Sequence, residues 1–408
     1  MDHRGWHAAY AGDAGVRTIG VVTVARSDYG IYLPLLRKIQ ADPDLRLHLI
    51  VAGMHLSPEF GLTVKAIEAD GFEIGERVEM LLSSDTPEGI AKSMGLGTIG
   101  FAQAYARFQP DILVVLGDRF EMHAAALAAL PFKIPVAHIH GGEITQGAID
   151  DALRHSMTKL SHLHFVSTQE YAQRVIQMGE EPWRVTVSGA PSLDNLRVTR
   201  LLAREELAAR FDLHLDEPPF LLVTFHPVTL EYEQTEWQVT ELLAALEVCG
   251  LPVVFTMPNA DTSGRTIARM IEEFVATHSS AQAVDNLGTQ GYFSMMALAA
   301  AMVGNSSSGI VEAASFELPV VNVGSRQRGR VRGTNVIDVD YKRTSILEGL
   351  QRALDPKFRA KLRGIRNPYG SGGASEKIIE VLKQVRLDDK LVMKHFHDLK
   401  IEPSEGAH

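Results

Sequence analysis

Cysteine is nearly absent from the sequence, since Cys249 is the single one among 408 residues. A disulfide within the chain is therefore impossible, which favours a reducing, cytoplasmic compartment. Long apolar runs are also missing, and none approaches the roughly 18 residues that span a membrane as a helix. Residues 1–15 lack the apolar core of a secretory signal and are expected to form a mobile tail. We therefore expect a cytoplasmic protein that does not insert into a membrane.

Positive charge is scarce as well, because 40 Lys and Arg stand against 50 Asp and Glu, a formal net charge of −10. This balance argues against nucleic acid as a partner, since phosphate backbones bind to basic surfaces. A small anionic ligand is still compatible with an acidic chain, provided that basic residues cluster locally.

What the sequence does contain is two series of short apolar runs separated by helical patterns. The runs are rich in β-branched residues and bounded by Gly, Pro or Asp, which is typical of buried strands. The first series comprises 18–25, 45–53, 111–118, 135–142, 163–168 and 185–189, and the second comprises 220–227, 252–259, 281–287, 302–306, 319–324 and 335–340. Alternation of such strands with helices predicts parallel sheets covered on both faces.

The chain is longer than the roughly 250–300 residues that one hydrophobic core supports, so two domains are expected. A charged helical stretch at 192–216 separates the two series and places the boundary near residue 195. We predict an α/β fold of two Rossmann-like, doubly wound domains, 17–195 and 196–373, that face a central cleft. A last helix at 374–385 is expected to cross back to the first domain, followed by a loosely ordered end.

A glycine pattern at 95–100 matches the G-x-G-x-x-G of dinucleotide-binding loops. That function requires a strand before the glycines and a helix after them. Here the pattern lies inside a helical segment, so we interpret it as close helix packing. No cofactor is expected.

Two motifs of the second half favour an anionic ligand. The run 304–309, Gly-Asn-Ser-Ser-Ser-Gly, follows a strand and opens a helix, so hydroxyls of Ser306, Ser307 and Ser308 and free N–H groups suit a diphosphate. Simple N-capping is the alternative. Glu312 lies one turn further and is placed to accept hydrogen bonds from a ribose. Four arginines at 324–332 predict contact with phosphate oxygens, the alternative being a solvated loop.

The first half carries groups suited to proton transfer. Asp118 and Arg119 follow a strand, where sites of this fold class lie, although Asp118 also fits a helix cap. His140 and Glu143 follow the next strand, and Asp150 and Asp151 open a helix on which His155 shares the face of Asp151. So many titratable groups at strand ends indicate acid–base chemistry. His226, at a strand end of the second half, is a further candidate for it. His138 is best interpreted as a core residue. A metal site competes, but the spacings of metal-binding histidines are absent.

Together these motifs resemble the hydrolysing UDP-N-acetylglucosamine 2-epimerases of sialic acid biosynthesis. The resemblance runs in order from about residue 18 to 385. The motifs that carry it are ARSDYG at 25–30, GMHL at 53–56, GDR at 117–119, HIHGGE at 138–143, DDALRH at 150–155, HPVT at 226–229, GNSS at 304–307 and GSRQ at 324–327.

The resemblance implies a GT-B-like fold, no metal requirement, a nucleotide-sugar substrate and a homodimer. It implies loss of the sugar C2 proton and elimination of UDP, then addition of water to give N-acetylmannosamine. It assigns proton transfer to Asp118, Asp150 and Asp151, places His226 at the cleft, and assigns substrate contacts to Arg26, His55, Arg119, Asn259, Ser306, Ser307, Glu312 and Arg326.

This sequence departs from the family pattern in the first half. Many relatives carry Glu at the position of His140, and the loop leading to Asp150 is one residue longer here. A carboxylate role therefore passes to Glu143, is taken by His140, or is organised differently. Ile31 stands where relatives carry Lys. Related enzymes act on UDP- or GDP-linked N,N′-diacetylbacillosamine, which is the alternative substrate. A GT-B glycosyltransferase and a nucleotide-sugar sensor are rival functions for the same motifs.

Overall fold

A computed structural model of the chain describes residues 15–84, 86–145, 149–215, 219–228, 231–257 and 264–399. Within these ranges, no helix is both long and apolar enough to cross a membrane. Two parallel sheets with interleaved helices form the molecule, which confirms the predicted α/β, GT-B-like fold class.

In the described part of the chain, the first sheet has seven parallel strands in the order β3-β2-β1-β4-β5-β6-β7. The strand order reverses between β1 and β4, and such switch points open a crevice at the carboxyl ends of the strands. The strands are β1 Arg17–Thr23, β2 Leu45–Ala52, β3 Ile74–Val78, β4 Ile112–Leu116, β5 Val136–Ile139, β6 Leu163–Val166 and β7 Val185–Val187.

The second sheet, again counted over the described residues, has six parallel strands in the order β10-β9-β8-β11-β12-β13. Its switch point lies between β8 and β11. The strands are β8 Leu221–Thr224, β9 Val253–Thr256, β10 Ala281–Val284, β11 Ala301–Gly304, β12 Val320–Val323 and β13 Val336–Val339.

Helices connect most successive strands, because parallel neighbours require a crossover. β12 and β13 are instead joined by residues 324–335, which form no helix. Those of the first sheet are α1 Arg26–Ala41, α2 Val64–Ala69, α3 Pro87–Arg107, α4 Phe120–Ala129, α5 Asp150–Leu160 and α6 Gln169–Gln177. Those that follow are α7 Asn195–Val198, α8 Arg204–Phe211, α9 Thr235–Cys249, α10 Gly264–Thr277, α11 Gly288–Leu298, α12 Ser307–Val311, α13 Arg343–Leu354, α14 Pro356–Lys361, α15 Ala374–Gln384 and α16 Asp389–Val392.

The last long helix, α15, packs on the first sheet. Ile378 and Leu382 are fully buried in the same core as β1, β2 and α1. Asp194 fixes the start of this helix, because its carboxylate accepts hydrogen bonds from the backbone N–H groups of Ala374 at 2.9 Å and Ser375 at 2.7 Å. The chain therefore returns from the second sheet to complete the first core.

Two features differ from the sequence-based prediction. Strand β3 was missed, because its sequence IGERV has two adjacent charged residues and only one buried residue, and because it lies at the sheet edge. The prediction that the end of the chain is loosely ordered is wrong for residues 386–399: Leu391 is buried, and the carbonyl oxygens of Lys390 and Leu391 accept hydrogen bonds from Arg184. A buried guanidinium holds this C-terminal strap, residues 386–399, in place.

The glycine pattern at 95–100 lies inside α3, as predicted. A side-chain carbon at Gly97 would meet Met80 at 2.4 Å, and one at Gly100 would meet Val78 at 2.6 Å. These glycines let α3 approach β3 closely, and they do not form a ligand-binding loop.

Candidate active site

A cleft of about 1350 Å³ lies where the carboxyl ends of the two sheets face each other. Both switch points open into it, through the segments that follow β1, β4, β8 and β11. Eight of the residues predicted for the site line this cleft: Arg26, Arg119, Asp150, His226, Ser306, Ser307, Ser308 and Glu312.

On the second sheet, a glycine and an asparagine set the position of Ser306, Ser307 and Ser308, here called the serine segment. Gly304 has φ +132°, and a side chain there would lie 1.9 Å from the carbonyl oxygen of Thr224, so only glycine allows β8 and β11 to end so close together. Asn305 bridges the strand ends, accepting from the N–H of His226 at 2.7 Å and donating to its carbonyl at 2.8 Å. Ser306 caps α12. His226 and the serines therefore face the cleft side by side.

On the first sheet, Asp28 organises the segment that carries Arg26. Its buried carboxylate accepts hydrogen bonds from the backbone N–H groups of Ala25 at 2.9 Å and Val24 at 3.2 Å, which closes the start of α1. Burial raises the pKa of Asp28 to about 6, with Arg119 opposing that rise. Burial lowers the pKa of Arg26, whereas Asp285 on the opposite sheet raises it. Arg26 therefore lies across the cleft from a carboxylate of the other sheet.

Asp118 belongs to a hydrogen-bonded group at the end of β4. Its carboxylate forms an ion pair with Arg154 and accepts from the hydroxyl of Thr145 at 3.3 Å. The backbone N–H of Thr145 donates to Asp151 at 2.7 Å, and His155 lies 3.6 Å from the other oxygen of Asp151. The predicted shared face of Asp151 and His155 is thus confirmed. We call Asp118, Thr145, Asp151 and Arg154 the acid–base network.

His140 and Glu143 form a buried pair beside that network. Nδ1 of His140 lies 2.6 Å from Glu143, whose carboxylate also accepts from the Ser167 hydroxyl at 2.7 Å. Burial alone would raise the pKa of Glu143, but His140 and Arg330 hold it well below its ordinary value. His140 has φ +65°, an uncommon conformation for a residue with a side chain. The two residues lie behind the cleft wall and do not line it.

Glu312 joins the two sheets at the base of the cleft. Its carboxylate accepts a hydrogen bond from the hydroxyl of Ser192, which follows the last strand of the first sheet. Burial raises the pKa of Glu312 to about 7, and the bond from Ser192 opposes part of that rise. The position suits an acceptor for ligand hydroxyls, as predicted from the sequence.

Aliphatic side chains form part of the first-sheet side of the cleft. Ile149 is 44% exposed there, and Leu153 lies one turn further along α5, on the same helix face. Both lie beside Asp150, which opens the helix. Leu81, Leu82 and Ile90, from the segment after β3, also line the cleft. We call these five residues the apolar wall.

Several predicted site residues lie elsewhere. His55 is fully buried, and its ring nitrogens lie 2.9 Å from the Thr23 hydroxyl and 2.7 Å from the Thr63 hydroxyl. Burial lowers the pKa of His55 to about 4, so the ring is neutral and supports the cleft wall from behind. Arg326 donates to the carbonyl oxygen of Asn305 at 3.1 Å and does not line the cleft. Asn259 lies outside the described residues.

His138 is the core histidine that the sequence indicated. It is fully buried, and its Nε2 lies 2.8 Å from the carbonyl oxygen of Gly117. Burial lowers the pKa of His138, so the ring stays neutral at physiological pH.

The arginine-rich segment 324–332, here called the arginine loop, meets anions of the protein itself. Arg330 reaches Glu143 at 3.4 Å, and Arg332 forms an ion pair with Asp338 at 2.9 Å. The interpretation of these two arginines as phosphate ligands is therefore corrected. Sequence reasoning found the loop but not its counter-charge, because Glu143 lies 187 positions away in the chain. It also missed Thr145, a hydroxyl with no motif of its own.

Among the described residues, no three His, Cys, Asp or Glu side chains are grouped to hold a metal ion. Two doubly wound sheets, with serines and a glutamate on one side of a shared cleft and carboxylates on the other, define an α/β protein of GT-B-like architecture.

Comparison with known proteins identifies the family within that class. The sequence model of a family described as UDP-N-acetylglucosamine 2-epimerase matches residues 37–383. The chain therefore belongs to the UDP-N-acetylglucosamine 2-epimerase family, and the predicted resemblance is confirmed.

Some of the relatives with full-length similarity are named for N,N′-diacetylbacillosamine and others for UDP-N-acetylglucosamine. The GDP/UDP-N,N′-diacetylbacillosamine 2-epimerase (hydrolyzing) of Campylobacter jejuni serotype O:2 is 39% identical over 386 residues, covering 94% of this chain and 99% of the relative. The UDP-N,N′-diacetylbacillosamine 2-epimerase (hydrolyzing) of Legionella pneumophila is 38% identical over 380 residues, covering 93% and 99%. The UDP-N-acetylglucosamine 2-epimerase of Neisseria meningitidis serogroup B is 32% identical over 390 residues, covering 95% and 100%.

A solved structure shows the same fold. The UDP-GlcNAc 2-epimerase from Neisseria meningitidis bound to UDP-GlcNAc superimposes with a TM-score of 0.78, at 19% sequence identity. The match covers 90% of this chain and 99% of that one.

Proposed function

We propose that the protein is a hydrolysing 2-epimerase of a nucleoside-diphosphate-linked N,N′-diacetylbacillosamine. The observation that carries the proposal is a cleft that joins serines and Arg26 to carboxylates, in a chain 39% identical over its length to an enzyme named for that reaction. Two relatives named for this substrate share more identity with the chain than the relative named for UDP-N-acetylglucosamine. UDP-N-acetylglucosamine, the main expectation from the sequence, becomes the second candidate.

In the first step, a carboxylate removes the proton from C2 of the sugar. The electron pair of that C–H bond forms a C1–C2 double bond, and the bond from C1 to the diphosphate oxygen breaks, releasing the nucleoside diphosphate. Asp118, Asp150 and Asp151 are the carboxylates assigned to proton transfer. The departing charge is stabilised by Arg26 and by the hydroxyl and N–H donors of Ser306–Ser308.

In the second step, water adds across the double bond. Its oxygen bonds to C1, and a proton arrives at C2 from the face opposite to the one that lost it, so the configuration at C2 inverts. His226 lies at the cleft on the second sheet, facing the carboxylates of the first sheet, and is assigned as a proton donor or acceptor in this step. Groups on both sides of the sugar are what inversion requires.

The apolar wall supports N,N′-diacetylbacillosamine as the sugar. N,N′-diacetylbacillosamine has two acetamido groups and a methyl group at C6, whereas N-acetylglucosamine has hydroxyl groups at C4 and C6. Ile149 and Leu153 beside Asp150 offer contact to methyl groups and no hydrogen bond to hydroxyls. Burying one such methyl group contributes about 0.8 kcal/mol.

NMR of the products formed in deuterated water tests the proposal. The enzyme is incubated, without acceptor, with UDP- and GDP-linked N,N′-diacetylbacillosamine and with UDP-N-acetylglucosamine. We expect a C2-epimerised free sugar carrying deuterium at C2, one equivalent of nucleoside diphosphate, and the highest kcat/KM with a diacetylbacillosamine substrate. Faster turnover of UDP-N-acetylglucosamine would favour the second candidate, and turnover only after adding an acceptor would identify a glycosyltransferase.

A further inference from the structure

We propose that Arg330, which belongs to the second sheet's arginine loop, is a positioning residue that completes the acid–base network of the first sheet. The inference rests on the proposed function, since it assigns Arg330 a part in that reaction. The acid–base groups would then be correctly arranged only when the two halves of the molecule are docked.

Arg330 makes three contacts with one short segment of the first sheet. Its Nε donates to the carbonyl oxygen of Ile144 at 3.0 Å, and its Nη2 donates to the hydroxyl of Thr145 at 3.2 Å. Its Nη1 lies 3.4 Å from a carboxylate oxygen of Glu143. The side chain is only 7% exposed. A guanidinium so enclosed, in a fixed fork geometry, orients the groups that it touches.

Hydrogen bonds of Thr145 connect Arg330 to two carboxylates. Its hydroxyl accepts from Arg330 and donates to Asp118 at 3.3 Å, while its backbone N–H donates to Asp151 at 2.7 Å. One side chain of the second sheet therefore lies a single residue away from Asp118 and Asp151, two of the three carboxylates assigned to proton transfer. The Thr145 hydroxyl also accepts from Arg154 at 3.2 Å, so removing Arg330 takes away one of its three hydrogen bonds and loosens the position of Thr145 between the two carboxylates.

Arg330 also supplies charge to the buried pair next to the network. Titratable groups reach Glu143 from each element around it: His140 after β5, Arg154 on α5, Tyr171 on α6, Tyr369 before α15, and Arg330 from the arginine loop. Without Arg330 the pKa of Glu143 rises, because a nearby cation favours the ionised carboxylate.

The loop backbone is held independently of the Arg330 side chain. The N–H of Val331 donates to the hydroxyl of Tyr171 at 2.9 Å, and its carbonyl oxygen accepts from Tyr369, also at 2.9 Å. The two tyrosine hydroxyls lie 2.8 Å apart. A variant that lacks only the guanidinium therefore keeps the loop docked, so its effect on the chemistry is separable from unfolding.

The test compares Arg330→Met and Arg330→Lys with wild type and with Arg363→Met. Arg363 is an exposed arginine of the second half that does not line the cleft, and it serves as the control. We expect Arg330→Met to lower kcat by about 10- to 100-fold with little change in KM, as misplaced catalytic groups do. The acidic limb of the kcat–pH profile should move to higher pH, because the variant lacks the positive charge that interacts with Glu143 and Asp118. Arg330→Lys should restore part of kcat, and Arg363→Met should match wild type.

Unchanged kcat and an unchanged acidic limb in Arg330→Met would overturn the inference. So would a loss explained by KM and melting temperature alone, with the pH profile in place, since that pattern marks a merely structural contact. Carbon-13 NMR titration of the Glu143 carboxyl in wild type and Arg330→Met supplies a readout that needs no turnover: the titration should shift to higher pH, and coincident curves would refute the proposal. Failure of wild type to process any sugar of the panel would instead refute the proposed function.

Discussion

At Leu153, the proposed choice of sugar can be tested through a single side chain of the apolar wall. Replacement by Ala removes methyl groups from the cleft while keeping a strong helix former in α5. We expect Leu153→Ala to lower kcat/KM for the diacetylbacillosamine substrate relative to UDP-N-acetylglucosamine by about tenfold, which corresponds to ~1.4 kcal/mol or one to two methyl contacts. Competition assays with both substrates measure this ratio.

Leu96→Ala is the matched control for that experiment. Leu96 also lies within a helix, is 43% exposed, and is not among the residues that line the cleft. Its replacement should leave the ratio of the two kcat/KM values unchanged. A ratio that moves equally in both variants would show that the wall does not select the sugar.

At Glu312, burial predicts a pH dependence of stability. The pKa of this carboxyl is raised from its ordinary value of 4.5 to about 7, chiefly by burial. An acid whose pKa is higher when folded stabilises the fold below its ordinary pKa, and that contribution disappears as the pH rises through 7. We expect wild type to lose roughly 3 kcal/mol more than Glu312→Gln between about pH 4.5 and pH 8.

Urea denaturation at the two pH values measures the difference. Asp28, whose pKa is also raised by burial, contributes with the same sign in both proteins and cancels in the comparison. Equal losses in wild type and Glu312→Gln would show that folding does not raise the pKa of Glu312.

Among the structural elements, the C-terminal strap predicts a stability effect far from the cleft. Lys394 donates to Glu180, which is fully buried, at 2.9 Å and to the carbonyl oxygen of Ser161 at 2.6 Å. Glu180 keeps Lys159 and His164 as partners when Lys394 is removed. We therefore expect Lys394→Met to lower the free energy of unfolding by about 2–3 kcal/mol, measured by urea denaturation.

Lys65→Met provides the comparison for the strap, because Lys65 is exposed on α2. Surface substitutions of this kind change stability by about 0.5 kcal/mol or less. A Lys394→Met effect no larger than that of Lys65→Met would mean that the strap contributes nothing to the fold.

The same elements show how far sequence reasoning reaches. Central parallel strands are buried on both faces, so each of the twelve apolar runs identified in the sequence matched a strand. The edge strand β3 carries Glu76 and Arg77 and lacks that signal. The strap was misjudged for a related reason: its anchoring depends on Arg184 and Glu180, buried charges of another segment, and polarity within the strap itself gave no sign of them.

The site residues also fall into two groups: those that local sequence predicts and those that only contacts between distant segments reveal. Residues placed by their own strand ends, such as Ser306, His226 and Arg26, were predicted from local sequence and line the cleft. Contacts between segments were not accessible, because nothing near Arg330 in the chain points to Glu143. His55 was assigned through its motif, and only the fold shows that threonines surround it.

For the whole molecule, the division of the cleft between two sheets predicts that binding and chemistry separate. UDP should raise the melting temperature of wild type and of Asp118→Asn equally, because Asp118 belongs to the first sheet and the serine segment to the second. At about 100 times its Kd, a ligand stabilises by roughly 2.7 kcal/mol. Turnover by Asp118→Asn should fall by at least about 100-fold, as loss of an acid–base group does.

Ser307→Asp tests the other side of this division. A carboxylate in the serine segment repels a diphosphate, so UDP should no longer raise the melting temperature. Thermal shift with and without UDP measures both variants. Stabilisation of Ser307→Asp equal to that of wild type would place the nucleotide elsewhere.

The return of α15 to the first core has a consequence for synthesis. Ile378 and Leu382 join a core whose other members, Ile379 and Leu391 apart, precede residue 166, so the first half is built from two stretches of chain separated by the whole second half. During synthesis, the serine segment and the arginine loop leave the ribosome before α15, which covers β1 and α1, has been translated. The first half is therefore synthesised first but completed last. Its apolar surface stays accessible to chaperones until α15 has left the ribosome.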